Sequence, residues 1–282
     1  MFTRSLIRAV RSGMAAGLAL AGVLVGCAAG GGSSSPAPLG LATTTTALAT
    51  TSTSSSTTST TNPDNLLQIG RSSARVLALQ KQLTALGYRP GAVNGTYSAD
   101  TASAVLAFQK REGFDRDGVA GPIVQAAVAT PKGAGPHAGL PTPRIEVDIA
   151  RQIAFVVFAG KPVITLNVST GSGLSYQDPT SKATDVAYTP VGTFAVQREV
   201  NADVVAPLGT LHRPMYFYEG WAMHGAAGVP GWPASHGCVR VSYDDADWLY
   251  PQVPVGMPVI IYDTTGKSPA VQQVPKGATP GS

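Results

Sequence analysis

The hydrophobic pattern of this chain changes its period across one breaker-rich segment, TPKGAGPHAGLPTP, which spans residues 130–143. Before this segment, apolar residues recur at the spacing of amphipathic helices, and after it they alternate as they do in strands. We therefore predict a small all-α three-helix domain at 66–130, a linker at 131–143 and a mostly β domain at 144–263.

Polar caps and glycines bound the predicted helices. A serine before an apolar-periodic run favours a helix start, a glycine after it favours a stop, and proline suits the first turn. These signals are Ser72 or Ser73 and Gly87 for the first helix, Ser98 and Gly113 for the second, and Pro122 for the third. The apolar faces consist of Val76, Leu79, Leu83 and Leu86, and of Ala102, Val105 and Phe108.

The β domain is indicated by apolar segments that are separated by Gly, Pro and Asn turns. The segments are RIEVDI (144–149), QIAFVVF (152–158), PVITLNVST (162–170), TPVGTFAVQ (189–197), PMYFYEG (214–220) and MPVIIYD (257–263). SYDDADWLY adds a short helix that Ser242 can cap. A domain of about 100 residues is large enough for its own core. We expect residues 264–282 to form a disordered tail.

The N-terminus has the form of a secretory signal, because a basic start precedes an apolar stretch with no further charge before Asp64. LVGC, which ends at Cys27, resembles the lipobox of bacterial lipoproteins, in which the cysteine carries the lipid. We expect a signal peptide at 1–26, then lipidated Cys27 and a Ser/Thr-rich linker over 27–65. An uncleaved anchor helix is the alternative and gives the same topology. The protein is expected in the extracytoplasmic cell envelope, membrane-anchored and facing the cell wall.

The charge balance gives no argument for nucleic-acid binding. The whole chain has 20 basic and 16 acidic residues, and removal of the predicted signal peptide would leave 17 basic residues against 16 acidic ones. The basic residues form no stripe along the sequence. We therefore expect no nucleic-acid partner.

The helical segment VLALQKQLTALGY…VNGTYSADTASAVLAFQKREGF…DGVAGP resembles the three-helix peptidoglycan-binding domain. The resemblance covers most of 66–130 and departs from the family at Asn94, where an Asp usually precedes the Gly. It implies that this domain binds peptidoglycan, whose stem peptides and glycan are the expected partners of the protein. A helical bundle that only spaces the next domain is the alternative.

The run SHGCVR, residues 235–240, contains one of the two cysteines and one of the four histidines of the chain. A thiol becomes a nucleophile when a nearby imidazole takes its proton and a third group orients that imidazole. His224 ends an apolar run and is joined to Cys238 by a Gly- and Pro-rich loop, so the two can meet across a turn. His236 is nearer in sequence. Gly237 permits unusual dihedrals, and the N–H groups of Gly237 and Cys238 can form an oxyanion hole.

Two other interpretations of the cysteine remain open. A disulfide between Cys27 and Cys238 would join the end of a signal segment to the distant β domain, whereas lipidation of Cys27 would leave Cys238 unpaired. A zinc site has suitable ligand types, but its spacing matches no zinc pattern and no carboxylate lies between Glu219 and Asp244. The histidines that could complete it are His212, His224 and His236. We expect no metal and no cofactor.

The motif HG, followed by a loop and then SHGCVR, is similar to the signature of the L,D-transpeptidase catalytic domain of the YkuD type. STG at 169–171 and TPVGTF at 189–194 are also similar to strands of that family. The resemblance covers about 144–263 and implies an L,D-transpeptidase-like β-sandwich. By position it implies that Cys238 is the nucleophile, His224 the general base and the carbonyl of Gly225 the group that orients the base.

The same resemblance assigns the rest of the site. Ser235 and His236 would shape the pocket, the Gly237 and Cys238 N–H groups would form the oxyanion hole, and Arg240 would bind the stem peptide. Only ten residues separate His224 from Ser235, fewer than in many members of the family. Tyr216 and Tyr218 alternate on one strand face and can line the acyl-donor channel, although an ordinary half-buried strand surface is the alternative.

The resemblance implies an enzyme that cross-links peptidoglycan. The cysteine would attack the third stem residue, release the terminal D-Ala and form a thioester, which the amine of another stem would convert into a 3→3 cross-link. Attack by water would instead give L,D-carboxypeptidase activity. Acylation by carbapenem-type β-lactams is also implied. A zinc peptidase acting on stem peptides and a non-catalytic wall-binding lipoprotein are the alternatives.

Overall fold

The computed structural model describes residues 65–264 of the chain. The predicted signal peptide, Cys27 and all but the last residue of the predicted linker that follows it lie outside these residues, as do residues 265–282 of the predicted tail. No helix within the described part is both long and apolar enough to cross a membrane.

Three helices come first, and they begin and end where the sequence signals place them. They are α1 (Ala74–Ala85), α2 (Ala99–Glu112) and α3 (Pro122–Ala127). Ser73, rather than Ser72, caps α1 by accepting the Val76 N–H, and Ser98 caps α2 in the same way. The second helix ends at Gly113, whose φ of +79° is the left-handed conformation that glycine adopts without strain.

The helices share one apolar core. Its members include the predicted positions Val76, Leu79, Leu83, Val105 and Phe108, together with two tyrosines, Tyr88 and Tyr97, that the helical pattern did not indicate. Leu86 and Ala102 are only partly buried and lie at the margin of this core. The helices of this domain are therefore amphipathic, as the sequence predicts.

The remaining part of the described chain is mostly β. Its strands are β1 (Arg144–Asp148), β2 (Ile153–Val157), β3 (Ile164–Asn167), β4 (Ser175–Gln177), β5 (Thr184–Val186), β6 (Gly192–Ala195), β7 (Arg198–Glu199), β8 (Asp203–Ala206), β9 (Gly209–Tyr218), β10 (Trp221–Gly225), β11 (Val239–Val241) and β12 (Pro258–Tyr262). A further helix, α4 (Tyr243–Leu249), is capped by Ser242 as predicted. Each predicted β segment contains a strand. The prediction missed β4, β5, β7, β8 and β11, which are short, and the first half of β9.

Two sheets enclose the core of this domain. One has the order β3-β2-β1-β12-β6, and the other has the order β11-β10-β9-β7 with β8 paired to β9. Their facing side chains form one buried cluster, which contains Ile145, Val147 and Ile261 from the first sheet and Met215, Phe217, Met223, Val239 and Val241 from the second. This arrangement is the β-sandwich that the resemblance implies. β4 and β5 form a separate hairpin.

Candidate active site

The parallel pairing of β10 with β11 brings the two predicted catalytic side chains to one face. In this pairing Met223 lies opposite Val239, and His224 lies opposite Arg240. Side chains alternate along a strand, and Met223 and Val239 point into the core between the sheets. His224, Arg240 and Cys238, which directly precedes β11, therefore lie on the other face.

The imidazole of His224 is fixed by the carbonyl of the next residue. His224 Nδ1 lies 2.9 Å from the carbonyl oxygen of Gly225. A carbonyl oxygen can only accept a hydrogen bond, so Nδ1 carries the proton and Nε2 keeps its lone pair. The predicted roles of His224 as base and of the Gly225 carbonyl as its orienting group both require this tautomer.

Gly225 has no room for a side chain. A Cβ at this position would lie 3.0 Å from each of three atoms, which belong to Ala246, His212 and Tyr243. The neighbouring backbone is also held, because the Ala226 N–H donates to the Val241 carbonyl at 2.9 Å. The packing of α4 and β9 against Gly225 therefore fixes the carbonyl that orients His224.

Burial favours the uncharged form of both predicted catalytic side chains. His224 is only 6% exposed, and this burial lowers its pKa to about 4 despite the opposing hydrogen bond to Gly225; the positive charge of Arg240 lowers it further. Burial likewise raises the pKa of the half-buried Cys238 thiol above its usual value. At neutral pH the pair is therefore a thiol and a neutral imidazole rather than a thiolate–imidazolium ion pair.

The turn that carries Cys238 is held by three short hydrogen bonds. Ser235 Oγ donates to the Cys238 carbonyl at 2.6 Å and accepts the Gly237 N–H at 3.0 Å. Thr189 Oγ1 donates to the Gly237 carbonyl at 2.6 Å. The Cys238 thiol itself lies 3.9 Å from the Gly220 carbonyl oxygen, a weak contact that places it beside the start of β10.

Gly237 is required at its position for two reasons. Its φ is +148°, a conformation that other residues rarely adopt, and a Cβ would lie 2.6 Å from the Trp221 indole nitrogen. Its N–H already donates to Ser235 Oγ. The Gly237 N–H would therefore have to exchange this bond with Ser235 in order to act in an oxyanion hole. The oxyanion role of the Gly237 and Cys238 N–H groups stays a prediction.

The STG segment, which runs beside the predicted nucleophile turn, supports this turn through backbone hydrogen bonds. Ser169 and Arg240 exchange backbone hydrogen bonds at 3.1 and 2.9 Å, and the Ser235 N–H donates to the Thr170 carbonyl at 3.0 Å. A Cβ at Gly171 would lie 2.6 Å from the Ala187 carbonyl oxygen, so this close packing also requires glycine.

A cavity of about 530 Å³ opens at these residues. Its wall includes all of the predicted pocket residues on the loop and on β11, which are Ser235, His236, Gly237, Cys238 and Arg240, together with His224. Two hairpins add to it: β4–β5 contributes Tyr176 and Asp185, and β8–β9 contributes residues 208–211, from its turn and the start of β9. The β4–β5 hairpin belongs to the long polar segment 172–188.

His236 and Arg240 face this cavity with different surroundings. The ring of His236 packs edge-on against the ring of Tyr176, with the ring centroids 4.7 Å apart. Burial lowers the pKa of His236, and the positive charge of Arg240 lowers it further. Within the described residues, the side chain of Arg240 makes no salt bridge. An unneutralised guanidinium on the cavity wall suits a carboxylate of a ligand. The predicted role of Arg240 in binding the stem peptide stays a prediction.

The structure does not bring Tyr216 and Tyr218 to the cavity wall. Tyr216 is buried, with the Arg198 guanidinium 3.7 Å from its ring centroid. Tyr218 stacks on Trp221 at 5.6 Å, and it is Trp221 that lines the cavity. Contact of these tyrosines with an acyl donor stays a prediction.

Sequence reasoning missed several residues that build the site. Thr189 holds the predicted nucleophile turn, and it lies in TPVGTF, whose sequence indicates a strand but no contact with Cys238. Tyr176 and Asp185 lie in a polar segment without strand periodicity, so nothing in the sequence places them beside Cys238. His212 bonds Asp203 at 2.6 Å and Asp247 at 2.8 Å, and these carboxylates raise its pKa despite its partial burial.

The histidines near Cys238 in the sequence are not arranged as ligands of one metal ion in the described part of the chain. Among residues 65–264, no group of three or more His, Cys, Asp and Glu side chains is placed to hold a metal ion. His212 is bound to two aspartates, and His224 is bound to the Gly225 carbonyl. The geometry of the described residues therefore gives no support to the zinc alternative.

Comparisons with known proteins agree with this geometry. Residues 142–261 match the family of the L,D-transpeptidase catalytic domain, and residues 72–128 match a peptidoglycan binding domain. A crystal structure of an L,D-transpeptidase from Xylanimonas cellulosilytica is 39% identical over 70% of this chain and 98% of its own, with a TM-score of 0.65. The chain belongs to the L,D-transpeptidase family.

Two further matches cover less of the chain. A solved L,D-transpeptidase in complex with imipenem is 22% identical over 42% of this chain and 57% of its own, with a TM-score of 0.33. The N-acetylmuramoyl-L-alanine amidase CwlL of Bacillus licheniformis is 42% identical over 67 residues, which is 23% of this chain. The chain covers only 18% of that curated relative.

The uncharged state of the pair predicts how Cys238 reacts with iodoacetamide. Because alkylation requires the thiolate and burial raises the thiol pKa, the rate should rise roughly tenfold per pH unit between about pH 6 and pH 8. Mass spectrometry of the modified peptide measures this rate, and Cys238→Ser gives the background from Cys27. A plateau across this range that disappears in His224→Ala would instead indicate a thiolate–imidazolium pair.

Proposed function

We propose that this protein is a cell-wall L,D-transpeptidase that forms 3→3 peptidoglycan cross-links through a thioester on Cys238. The observation that carries the proposal is the shared strand face: a half-buried thiol and an imidazole with a free Nε2 border one cavity. Cys-His pairs of this kind catalyse acyl transfer when the base is oriented by a third group.

The first half of the reaction forms the acyl-enzyme. Cys238 Sγ attacks the carbonyl carbon of the third stem residue while its proton passes to His224 Nε2. Because the resting imidazole has a pKa of about 4, proton transfer accompanies formation of the C–S bond rather than preceding it. The oxyanion is stabilised by the Cys238 N–H. Collapse breaks the C–N bond, and His224 returns the proton to the departing D-Ala amine.

The second half transfers the acyl group. The side-chain amine of the third residue in another stem attacks the thioester while His224 Nε2 accepts the proton of that amine. The C–S bond then breaks, and His224 returns this proton to the leaving Cys238 thiolate. The product is a 3→3 cross-link. Attack by water would give a free carboxylate, which is L,D-carboxypeptidase activity. Arg240 and His236, both on the cavity wall, are proposed to bind the stem peptide, with Ser235 holding the turn between them.

The other parts of the chain are proposed to keep the enzyme at its polymer. The match of residues 72–128 to a peptidoglycan binding domain supports a role of the helical domain in holding the cell wall, which raises the local concentration of stem peptides. The resemblance of LVGC, which ends at Cys27, to a lipobox supports an extracytoplasmic, membrane-anchored location. Membrane attachment, glycan binding and carbapenem binding remain proposals for this chain.

Acylation by a carbapenem tests the nucleophile. Intact-protein mass spectrometry should show one added carbapenem per chain, because the strained lactam carbonyl is attacked by the same thiol. The adduct should be absent from Cys238→Ser and unchanged in the presence of a metal chelator. An unmodified wild-type protein would contradict the nucleophile assignment, and a reaction stopped by chelator would favour the zinc peptidase.

The choice of base is tested by a matched pair of histidine variants. His224→Ala should slow acylation by about 10²–10⁴-fold, since a positioned general base contributes that much. His236→Ala, a cavity histidine two residues from the thiol, should slow it by less than about tenfold, because it only contacts the bound molecule. Stopped-flow or quenched mass spectrometry gives both rates. The reverse order of effects would make His236 the base.

A further inference from the structure

A buried lysine of the helical domain reaches into the β domain. Lys110 lies in the last turn of α2 and is only 1% exposed. Burial lowers its pKa well below the usual lysine value, and the charge of Arg116 lowers it further. A lysine is almost never fully buried unless its donors have partners. All three acceptors of the Lys110 side-chain amine within the described residues belong to the β domain.

The acceptors of Lys110 come from two separate segments. Its amine donates to Asn167 Oδ1 at 2.5 Å and to the Val168 carbonyl at 2.8 Å, both at the end of β3. The third acceptor is the Pro230 carbonyl at 3.1 Å. Pro230 lies in the loop 226–234, which joins the end of β10 to the turn of the nucleophile. One side chain therefore links α2, β3 and this connecting loop.

Four consecutive carbonyls of the connecting loop accept hydrogen bonds from side chains. Val229 is bound by Asn167 Nδ2 at 2.9 Å, and Trp232 is bound by Ser169 Oγ at 2.8 Å. Pro230 is bound by Lys110, and Gly231 by Arg116 Nη1 at 3.2 Å. The two central carbonyls are thus held by the helical domain.

The loop needs these donors because of its sequence. AAGVPGWPA contains two glycines and two prolines, and it forms neither helix nor strand. Gly231 packs so closely that a Cβ there would lie 2.8 Å from the Arg116 carbonyl oxygen. These hydrogen bonds and this close packing fix the path of the loop between Gly225, which orients the base, and Ser235, which holds the nucleophile turn.

The helical domain also contacts the other support of the base. Arg89, in the loop after α1, donates to Asp245 at 2.8 Å and to Asp244 at 2.7 Å, and its guanidinium lies 4.5 Å from the Trp248 ring centroid. These residues belong to α4, whose Ala246 packs on Gly225. The helical domain therefore contacts both the connecting loop and α4, the two segments that flank β10 and β11.

We infer that Lys110 is a positioning residue of the active site, so that the helical domain is a structural part of the catalytic centre as well as a binding module. This rests on the proposed function. Lys110 acts through the connecting loop, by fixing the separation of His224 and Cys238. A misplacement of about 1 Å between reacting groups can cost about 10²-fold in rate.

The test compares Lys110→Met with Lys81→Met in the full chain. Methionine keeps the unbranched shape of lysine but donates no hydrogen bond, and Lys81 is an exposed lysine on α1. Lys110→Met should lower the acylation rate at saturating carbapenem by about 10- to 100-fold, whereas Lys81→Met should leave it unchanged. Iodoacetamide alkylates the Cys238 thiolate without the help of a positioned base, so the alkylation rate should change less than about twofold in both variants. A variant that lost its fold would change both readouts.

Arg116→Gln is the second variant and removes the contact with Gly231 from a half-buried position. It decides the question if Lys110→Met fails to fold, and it should show the same selective loss of the saturating rate. Acylation of both folded variants at the wild-type saturating rate would overturn the inference. A wild-type protein that forms no adduct would instead contradict the proposed function.

Discussion

The site depends on the parallel pairing of β10 with β11. This pairing sets His224 opposite Arg240, and the alternation of side chains sends Met223 and Val239 into the core while His224 and Cys238 face the cavity. A shift of one residue would exchange the two faces and bury the reactive groups in apolar surroundings. Because the core residues Met223, Val239 and Val241 are fully buried, the register of the catalytic pair is fixed by the hydrophobic effect.

The surroundings of the pair then set its chemistry. Burial disfavours charge on both His224 and Cys238, so the resting site stores no ion pair. What prepares it for reaction is orientation, which comes from the Gly225 carbonyl on the base and from Ser235 and Thr189 on the nucleophile turn. The site therefore resembles acyl-transfer centres that are preorganised by fixed dipoles. Its supports extend into the helical domain.

Much of this arrangement could be predicted from the sequence, but not all of it. Periodicity and capping located α1, α2 and the long strands, because each depends on neighbours in the chain. The strands β4, β5 and β7 have only two or three residues, most of them exposed, and β8 is one polar residue followed by three apolar ones. None of these sequences alternates as a half-buried strand does, so they gave no signal. Resemblance placed Cys238, His224 and Gly225 together. Thr189, Asp185 and Lys110 reach the site only through tertiary contacts, between positions far apart in the sequence.

The tautomer of His224 tests the central claim most directly, because the proposed base needs a free Nε2 before any substrate arrives. Nitrogen NMR of the protein with ¹⁵N-labelled histidine reports the protonation of each ring nitrogen. At neutral pH the account predicts a neutral His224 with the proton on Nδ1, held by the Gly225 carbonyl, and an unprotonated Nε2. A protonated Nε2 at neutral pH, in either the imidazolium or the other neutral tautomer, would contradict it.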